Sequence, residues 1–233
     1  SSPMENILNF PQTTIVDKNV PKNAFYKRAD SAHFAWMKQF LTDEFENITW
    51  LYKLHPSTLN VEDGEKVHEI DVFVCTMKSD HYSINPFCGL DDLLPRHTMF
   101  IVRYGESIDL LMQHKEMAIV AGEEKWTRGK TELQRNVDLG HISFSIEGQS
   151  MDKVYGNLLG QVSGLETRSE EDYKAAVELR RKIESTQKQI LSLQKQIRSE
   201  KQFNLQMEMN AEARQLQKEL GQLQQRLTEI IEK

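Results

Sequence analysis

The stretch KVHEIDVFVCTMK, residues 66–78, decides the fold because it predicts a strand at the centre of a sheet. Every residue from Val72 to Cys75 is apolar. A strand with one covered face alternates apolar and polar residues, so a continuous apolar run indicates cover on both faces. The preceding Glu62-Asp63-Gly64 is a turn signal that bounds the strand. We therefore expect a sheet with other elements packed on both sides.

Helical and strand patterns surround this central strand over the first 164 residues. Apolar residues recur at helical spacing from Ser31 to about Asn47, where Ser31 or Asp30 can cap the helix. Gly105 and Glu106 suit a hairpin turn, and Pro11 and Pro21 make residues 4–30 irregular. The fold class is α+β or α/β, with a mixed-sheet domain over 1–164. Further strands are predicted at 48–54, 98–104, 107–114 and 141–146, and further helices at 89–94 and 151–165.

A helical tail is predicted over residues 165–233. Apolar residues recur at alternating steps of three and four over 176–197 and again over 209–230. This spacing, sustained over three heptads, is typical of coiled coils. It predicts two arms, at about 170–200 and 210–232, which form a hairpin within one chain or pair between two chains.

The segment between the arms, QFNLQMEMN at 202–210, has a different pattern. Phe203, Leu205, Met207 and Met209 are apolar at every second position, which is strand spacing. The two apolar stripes are out of phase across this segment, and a helix would place the first and third of these residues opposite the other two. We therefore predict an extended connector at 202–209, with Asn210 as the N-cap of the second arm. The alternative is a continuous helix with a register shift.

Charge is unevenly distributed along the chain. The formal net charge is −6, and residues 1–164 carry 16 basic and 23 acidic side chains, a net charge of −7. An acidic body disfavours broad nucleic-acid binding by that part of the chain. Cys75 and Cys88 have no partner at zinc-ligand spacing, and two cysteines in a chain of this length indicate buried thiols in a reducing cytoplasm. We predict no metal site and no cofactor.

Four stretches carry a family resemblance: ITWLYKLHPSTLNV at 48–61, EIDVFVCTMK at 69–78, LDDLLPRHTMFIVRY at 90–104 and IRSEKQFNLQMEMNAEARQLQKEL at 197–220. Together they resemble a bacterial family catalogued as a domain of unknown function, number 4391. Members of that family are typically encoded near helicases and DNA methyltransferases in restriction-like or phage-defence gene clusters. The resemblance implies a DNA-processing context and no particular chemistry.

One enzymatic alternative is a divergent Mg²⁺-dependent nuclease of the PD-(D/E)xK type, on a restriction-nuclease-like core. Asp71 and Lys78 would supply the acid and the lysine, with Glu44 or Glu46 contributed by the first helix. That chemistry needs two carboxylates for the metal, but the (D/E)xK position reads TMK at 76–78. Asp71 is also five residues from Thr76, and odd separations face opposite sides of a strand. We therefore interpret 66–78 as a core strand with polar ends, and a degenerate nuclease-like fold that binds without cutting is the alternative.

The first arm offers a second alternative, direct DNA binding. Lys174, Arg181, Lys188 and Lys195 recur every seven residues, opposite the apolar stripe of the arm. Such a row of cations can follow the phosphates of a nucleic acid. Outward heptad positions also carry lysine and arginine for solubility alone.

The function we favour is a non-catalytic accessory subunit that binds a protein partner, a helicase or methyltransferase of a restriction-like or phage-defence system. A single amphipathic arm would expose its apolar stripe, so the tail needs a partner helix or self-association. No membrane contact is expected. The residues predicted to make the contact lie in the connector and the second arm, and they are Phe203, Leu205, Met207, Met209, Leu216, Leu220, Leu223 and Leu227.

Overall fold

A computed structural model describes residues 4–139, 144, 146, 148–165 and 170–232. The chain divides into two compact units, Ser1–Gly164 and Leu165–Lys233. The first unit contains a six-stranded mixed sheet with helices, and the second contains two long helices. The α+β fold class with a C-terminal helical region is confirmed.

The strands lie side by side in the order in which they occur in the chain. All neighbours are antiparallel except β3 and β4, which are parallel. A parallel pair needs a crossover connection, and helix α4 (Ile84–Leu93) supplies it. The strand bounds are β1 Ile15–Asn19, β2 Phe45–Leu54, β3 Ile70–Met77, β4 His97–Tyr104, β5 Ser107–Val120 and β6 Glu123–Gln134.

Two helices of the first unit have recognisable signals at one end. The Asp30 side chain caps the longest of them by accepting the backbone N–H of His33 at 3.0 Å. This helix stops at Glu44, three residues before the predicted end, because β2 begins at Phe45. The last ends at Gly164, whose φ of +75° suits glycine. Besides α4, these helices are α1 Asn23–Tyr26, α2 Ser31–Glu44, α3 Pro56–Leu59 and α5 Met151–Ser163.

Strand β3 is covered on both faces, as its apolar run predicted. Phe73 and Cys75 point into a cluster that includes Met37 of α2 and Phe87 of α4. Val72 and Val74, which alternate with them, are fully buried as well. Each large apolar side chain buried in this way contributes roughly 1.5–3 kcal/mol, so burial on both faces of β3 stabilises the sheet.

Two strands were not expected. β1 lies within the segment predicted to be irregular, since it is a short edge strand that follows Pro11. β6 was missed because its sequence, EEKWTRGKTELQ, is mostly polar and lacks apolar alternation. The predicted turn at Gly105 and Glu106 is confirmed between β4 and β5. The strand predicted at 141–146 falls on residues that lie largely outside the described part of the chain.

Candidate functional site

The second unit is a helical hairpin with a short connector. Helices α6 (Glu170–Ser199) and α7 (Phe203–Glu232) contain 30 residues each, about 45 Å of helix. The connector is therefore 200–202, and the prediction of an extended segment at 202–209 is wrong. The carboxylate of Glu200 accepts the backbone N–H of Gln202 at 2.9 Å, which places an anion at the start of α7. Asn210, predicted as an N-cap, lies inside α7.

The physical reason for this error is that the apolar stripe of α7 begins earlier than the heptad count suggested. Leu205, Met209 and Ala213 follow one another at steps of four, so a helix already gives them a common face. Four alternating residues cannot outweigh a helix that continues for several more turns. Leu205 and Met209 are half-buried on this face and Ala213 is buried.

The other two alternating residues point away from the hairpin. Phe203 is 74% exposed and Met207 is 55% exposed. They are four residues apart on α7 and therefore share one face. We call Phe203 and Met207 the tip pair, because they lie beside the connector. The helix therefore presents two large apolar side chains, Phe203 and Met207, to solvent.

The seam between the two helices is only partly closed. Ile183 and Ile190 of α6 and Ala213 of α7 are buried. The remaining predicted contact residues, all on the seam of α7, keep partial exposure: Leu216, Leu220, Leu223 and Leu227. A two-helix hairpin covers its seam from one side alone, which leaves these leucines available to a third helix.

The four cations in the row on α6 differ in burial and in ion pairing. Lys174 is half-buried, whereas the other three are exposed. The guanidinium of Arg181 donates to both carboxylate oxygens of Glu178, at 3.1 and 2.6 Å. Lys188 and Lys195 make no ion pair within the described part of the chain.

The structure does not bring together the residues of the predicted nuclease site. Asp71 is the second residue of β3, and Lys78 follows the last, so about 23 Å of strand separates them at ~3.3 Å per residue. The Lys78 ammonium donates to the carbonyl of Thr42 at 2.8 Å, and the Glu44 carboxylate accepts the backbone N–H of Ser83 at 3.2 Å. Glu46 is exposed on β2. Lys78 and Glu44 are near each other, but Asp71 is at the other end of the strand.

The actual neighbours of Asp71 were not predicted from the sequence. Burial, a hydrogen bond to Glu69 and the negative charge of Glu69 raise the pKa of Asp71 to about 8. Glu69 in turn lies 3.7 Å from both Lys53 and Arg96. The pairing of β2 with β3 brings Lys53 opposite Asp71, a cross-strand relation that no local pattern reveals.

A buried ion pair joins Lys115 of β5 to Asp91 of α4. The Lys115 ammonium is 2.8 Å from the Asp91 carboxylate and donates to the Asp91 carbonyl at 2.8 Å. Both side chains are essentially inaccessible to solvent, at 0% and 1% exposure. The ammonium also lies 4.3 Å from the ring centroid of Trp126, a cation–π contact. Burial lowers the pKa of Lys115 and raises that of Asp91 to about 6. Because neither side chain is accessible to solvent, the pair is a structural feature of the first unit and not a binding site.

A cleft of about 490 Å³ lies between α2, α4 and β6. Its polar side chains pair with one another: His33 with Asp30, and Arg128 with Asp92. Among the lining residues, the cleft therefore offers a ligand no unpaired charge.

The two cysteines are free and buried. Burial raises the pKa of both thiols above the ordinary value, strongly so for Cys75. Neither is therefore suited to act as a nucleophile.

A family profile matches most of the chain. The profile described as Domain of unknown function (DUF4391) matches residues 8–220. The chain belongs to this family. No curated protein and no solved structure matches the sequence.

The DUF4391 match extends through both units. It includes the whole sheet, the connector of the hairpin and the tip pair, and it ends inside α7. The match to the DUF4391 profile therefore includes α6, the connector and the part of α7 up to residue 220.

The described residues of this DUF4391 chain contain neither a metal-binding cluster nor a membrane span. No group of three or more histidine, cysteine, aspartate or glutamate side chains in that part of the chain is arranged to hold a metal ion. No helix among the same residues is long and apolar enough to cross a membrane.

Proposed function

We propose that this chain is a non-catalytic accessory subunit that binds a protein partner through its helical hairpin. The observation that carries the proposal is the exposure of the tip pair, at 74% for Phe203 and 55% for Met207. Burying each such side chain in an interface contributes roughly 1.5–3 kcal/mol. Aromatic and methionine side chains are also enriched in the cores of protein interfaces.

The half-buried leucines of α7 support the same proposal. Leu216, Leu220, Leu223 and Leu227 form a stripe that a third helix can cover in coiled-coil fashion. A partner helix that begins at the tip pair and continues along this stripe would make one continuous contact. A second copy of the hairpin would supply two helices and make a four-helix bundle.

The partner we propose is a helicase or methyltransferase of a restriction-like or phage-defence system, and the contact takes place in the bacterial cytoplasm. The choice of partner rests on the gene neighbourhoods of the family that the sequence resembles. The cytoplasmic location is supported by the two free cysteines.

The test is co-expression of the tagged full-length chain with each helicase or methyltransferase that its gene neighbourhood is found to encode. Co-purification is then measured by size-exclusion chromatography with light scattering. The variant Phe203→Glu/Met207→Glu should lose the complex, because it places two charges where apolar side chains are buried. Leu191→Glu is the matched control, since Leu191 is an exposed leucine (65%) on α6.

Three outcomes decide the proposal. Loss of the complex in the double variant, with retention in Leu191→Glu, supports it. A complex that survives the double variant overturns the role of the tip pair. A wild-type chain that elutes alone, as a dimer that the double variant converts to a monomer, shows that the hairpin serves self-association.

DNA contact through α6 is the second candidate, favoured by Lys188 and Lys195, which form no ion pair among the described residues. Changing both to glutamine should reduce the slope of log affinity against log salt by about 1 for each phosphate that is no longer neutralised. Lys125→Gln is the control, because Lys125 is an exposed lysine of β6 and lies outside the row. A gel shift with no salt dependence, or one unaffected by the double change, would exclude this mode of binding.

A further inference from the structure

The hairpin formed by β5 and β6 extends beyond the rest of the sheet. β5 pairs with β4 only up to Leu111, which lies opposite Phe100. Its pairing with β6 continues to the turn, where Val120 lies opposite Glu123. The distal half of β5 therefore has a strand on one side and, among the described residues, none on the other.

In the first part of this open edge, side chains of other elements form hydrogen bonds with the backbone groups of β5. The Tyr155 hydroxyl accepts the backbone N–H of Lys115 at 3.1 Å and donates to the carbonyl of Gln113 at 3.2 Å. The ring of His97, through Nε2, lies 3.0 Å from the carbonyl of Lys115. Burial lowers the pKa of His97 to about 3, so the ring is neutral and donates this hydrogen bond. The backbone of β5 up to Lys115 is thus closed without a neighbouring strand.

The next part of the edge is open. Antiparallel pairs alternate between bonded pairs and pairs whose backbone groups point outward. The two-residue turn at Ala121 and Gly122 makes Val120 and Glu123 a bonded pair, so Met117 and Ile119 direct their N–H and C=O groups away from β6. Lys115 lies two residues before Met117, and its backbone N–H and C=O also face away from β6, where they bond to Tyr155 and His97. The backbone groups of Met117 and Ile119 that face this edge have no partner in the described residues.

A groove of about 400 Å³ follows this open edge. Its first wall carries Met117 and Ile119, which are 41% and 78% exposed, and Trp126. The opposite wall is formed by Glu65, Lys66, His68 and Glu69, together with Pro95, Arg96 and His97 just before and at the start of β4. The Asp152 carboxylate fixes that wall by accepting the backbone N–H groups of Glu65, Lys66 and Val67, at 2.7, 3.1 and 2.8 Å.

The charges of the groove indicate what it can accept. Glu69 is engaged by Lys53 and Arg96, and Lys66 lies 3.5 Å from the Glu116 carboxylate. The lining carboxylates that form no ion pair in the described chain are Glu65 and Glu124, so the groove has an acidic rim. A second copy would bring the same acidic rim, together with Glu123, against itself.

We propose that this groove binds an extended peptide segment of a partner protein, which pairs with Met117–Ile119 as an added β-strand. The segment has apolar side chains at alternate positions, which contact Met117, Ile119 and Trp126. Lysine or arginine flanks it and faces Glu65 and Glu124. The main chain supplies affinity and the alternate side chains supply selectivity, as in other cases of strand addition.

The probe is a displayed library of random twelve-residue peptides, selected on the full-length chain. Selected sequences should alternate apolar residues and carry lysine or arginine. Ile119→Pro removes an N–H that faces the groove and leaves the bonds between β5 and β6, because edge strands tolerate proline at such positions. We expect this change to weaken the selected peptides at least tenfold by fluorescence anisotropy, while the thermal unfolding curve confirms the fold.

A charge-reversal variant keeps the proposal testable if the proline variant is unstable. Glu65→Lys/Glu124→Lys should weaken basic-flanked peptides and strengthen their acidic-flanked counterparts. Amide hydrogen exchange at Met117 and Ile119 should slow when a wild-type complex forms. Selected peptides that bind with no change at these two amides, or no library binder sensitive to either variant, would overturn the proposal. So would a wild-type dimer that Ile119→Pro dissociates, since the occupant would then be a second copy.

Discussion

Replacing Lys115 by methionine should destabilise the first unit severely. Methionine keeps most of the buried volume of the side chain but leaves the Asp91 carboxylate, 1% exposed, without its cation. Removing one member of a buried ion pair typically costs about 3–5 kcal/mol. The change also removes the hydrogen bond to the Asp91 carbonyl and the cation–π contact with Trp126. We expect the upper half of that range at pH 7.

The pH dependence of this destabilisation follows from Asp91. Its pKa is already raised to about 6 by burial, and Lys115 is the cation that opposes the shift. Without Lys115 the folded-state pKa rises further above the unfolded value, so the folded state holds a proton that the unfolded state releases above about pH 4. The destabilisation should therefore be smaller at pH 5 and grow as the pH rises toward 8.

Urea unfolding of the wild type and the variants at pH 5 and pH 8 measures both effects. Lys125→Met is the control, because this lysine of β6 is exposed and its replacement should change stability by less than about 0.5 kcal/mol. The double variant Lys115→Met/Asp91→Leu should recover most of the stability, since an apolar pair of similar volume often replaces a buried ion pair without penalty. Equal stabilities for Lys115→Met and Lys125→Met, or a destabilisation independent of pH, would refute this account of the pair.

Three further predictions concern other parts of the first unit. Ala121→Asn should raise stability by about 1 kcal/mol, or roughly 2–4 °C in the midpoint of thermal unfolding. The reason is that Ala121 has a φ of +52°, which asparagine tolerates better. Ala118→Asn, at a paired strand position, should show no such gain. Asp71→Asn should flatten the fall in stability between pH 4 and 8, by up to about 1.4 kcal/mol per pH unit. A carboxyl with a pKa of about 8 stabilises the fold below pH 4 and loses that contribution as the pH rises through 8. A variant with the wild-type pH profile of urea unfolding would contradict the raised pKa of Asp71. Incubation of plasmid with the protein and Mg²⁺ or Mn²⁺ should show no cutting that Lys78→Ala abolishes, since Asp71 and Lys78 lie at opposite ends of β3; cutting that depends on Lys78 would restore the nuclease interpretation.

The central strand and the hairpin turn were predictable because their signals are local. The apolar run of β3 requires cover on both faces, and Gly105 supplies the positive φ (+58°) of its turn. β6 was not predictable, because its pairing with β5 depends on the turn at Ala121 and Gly122, and alanine is a weak turn signal. Polar strands that form a projecting hairpin carry no apolar pattern to detect.

The segment 203–209 shows how a short pattern misleads. Four alternating apolar residues fit a strand, and two pairs at a spacing of four fit a helix. The sequence favoured the strand because a helix leaves Phe203 and Met207 without cover. The structure adopts the helix and leaves them exposed, so the feature that argued against the helix marks the surface we propose for binding.

The buried polar contacts were beyond reach of the sequence. Lys115 meets Asp91, and Asp71 meets Glu69, only after strands and helices distant in the chain have packed. No local signal marks Lys115 as buried, because it follows the polar residues Gln113 and His114 and only the structure makes it the last buried residue of the run in β5. Lysine is rarely buried without a partner.

Isothermal titration of the purified partner, helicase or methyltransferase, into the full-length chain tests the central claim most directly. The account predicts saturable binding to the wild type and to Leu191→Glu. For Phe203→Glu/Met207→Glu it predicts an affinity at least about 100-fold weaker, because each central interface side chain is worth about 2 kcal/mol or more. Equal affinity for the wild type and the double variant would contradict it.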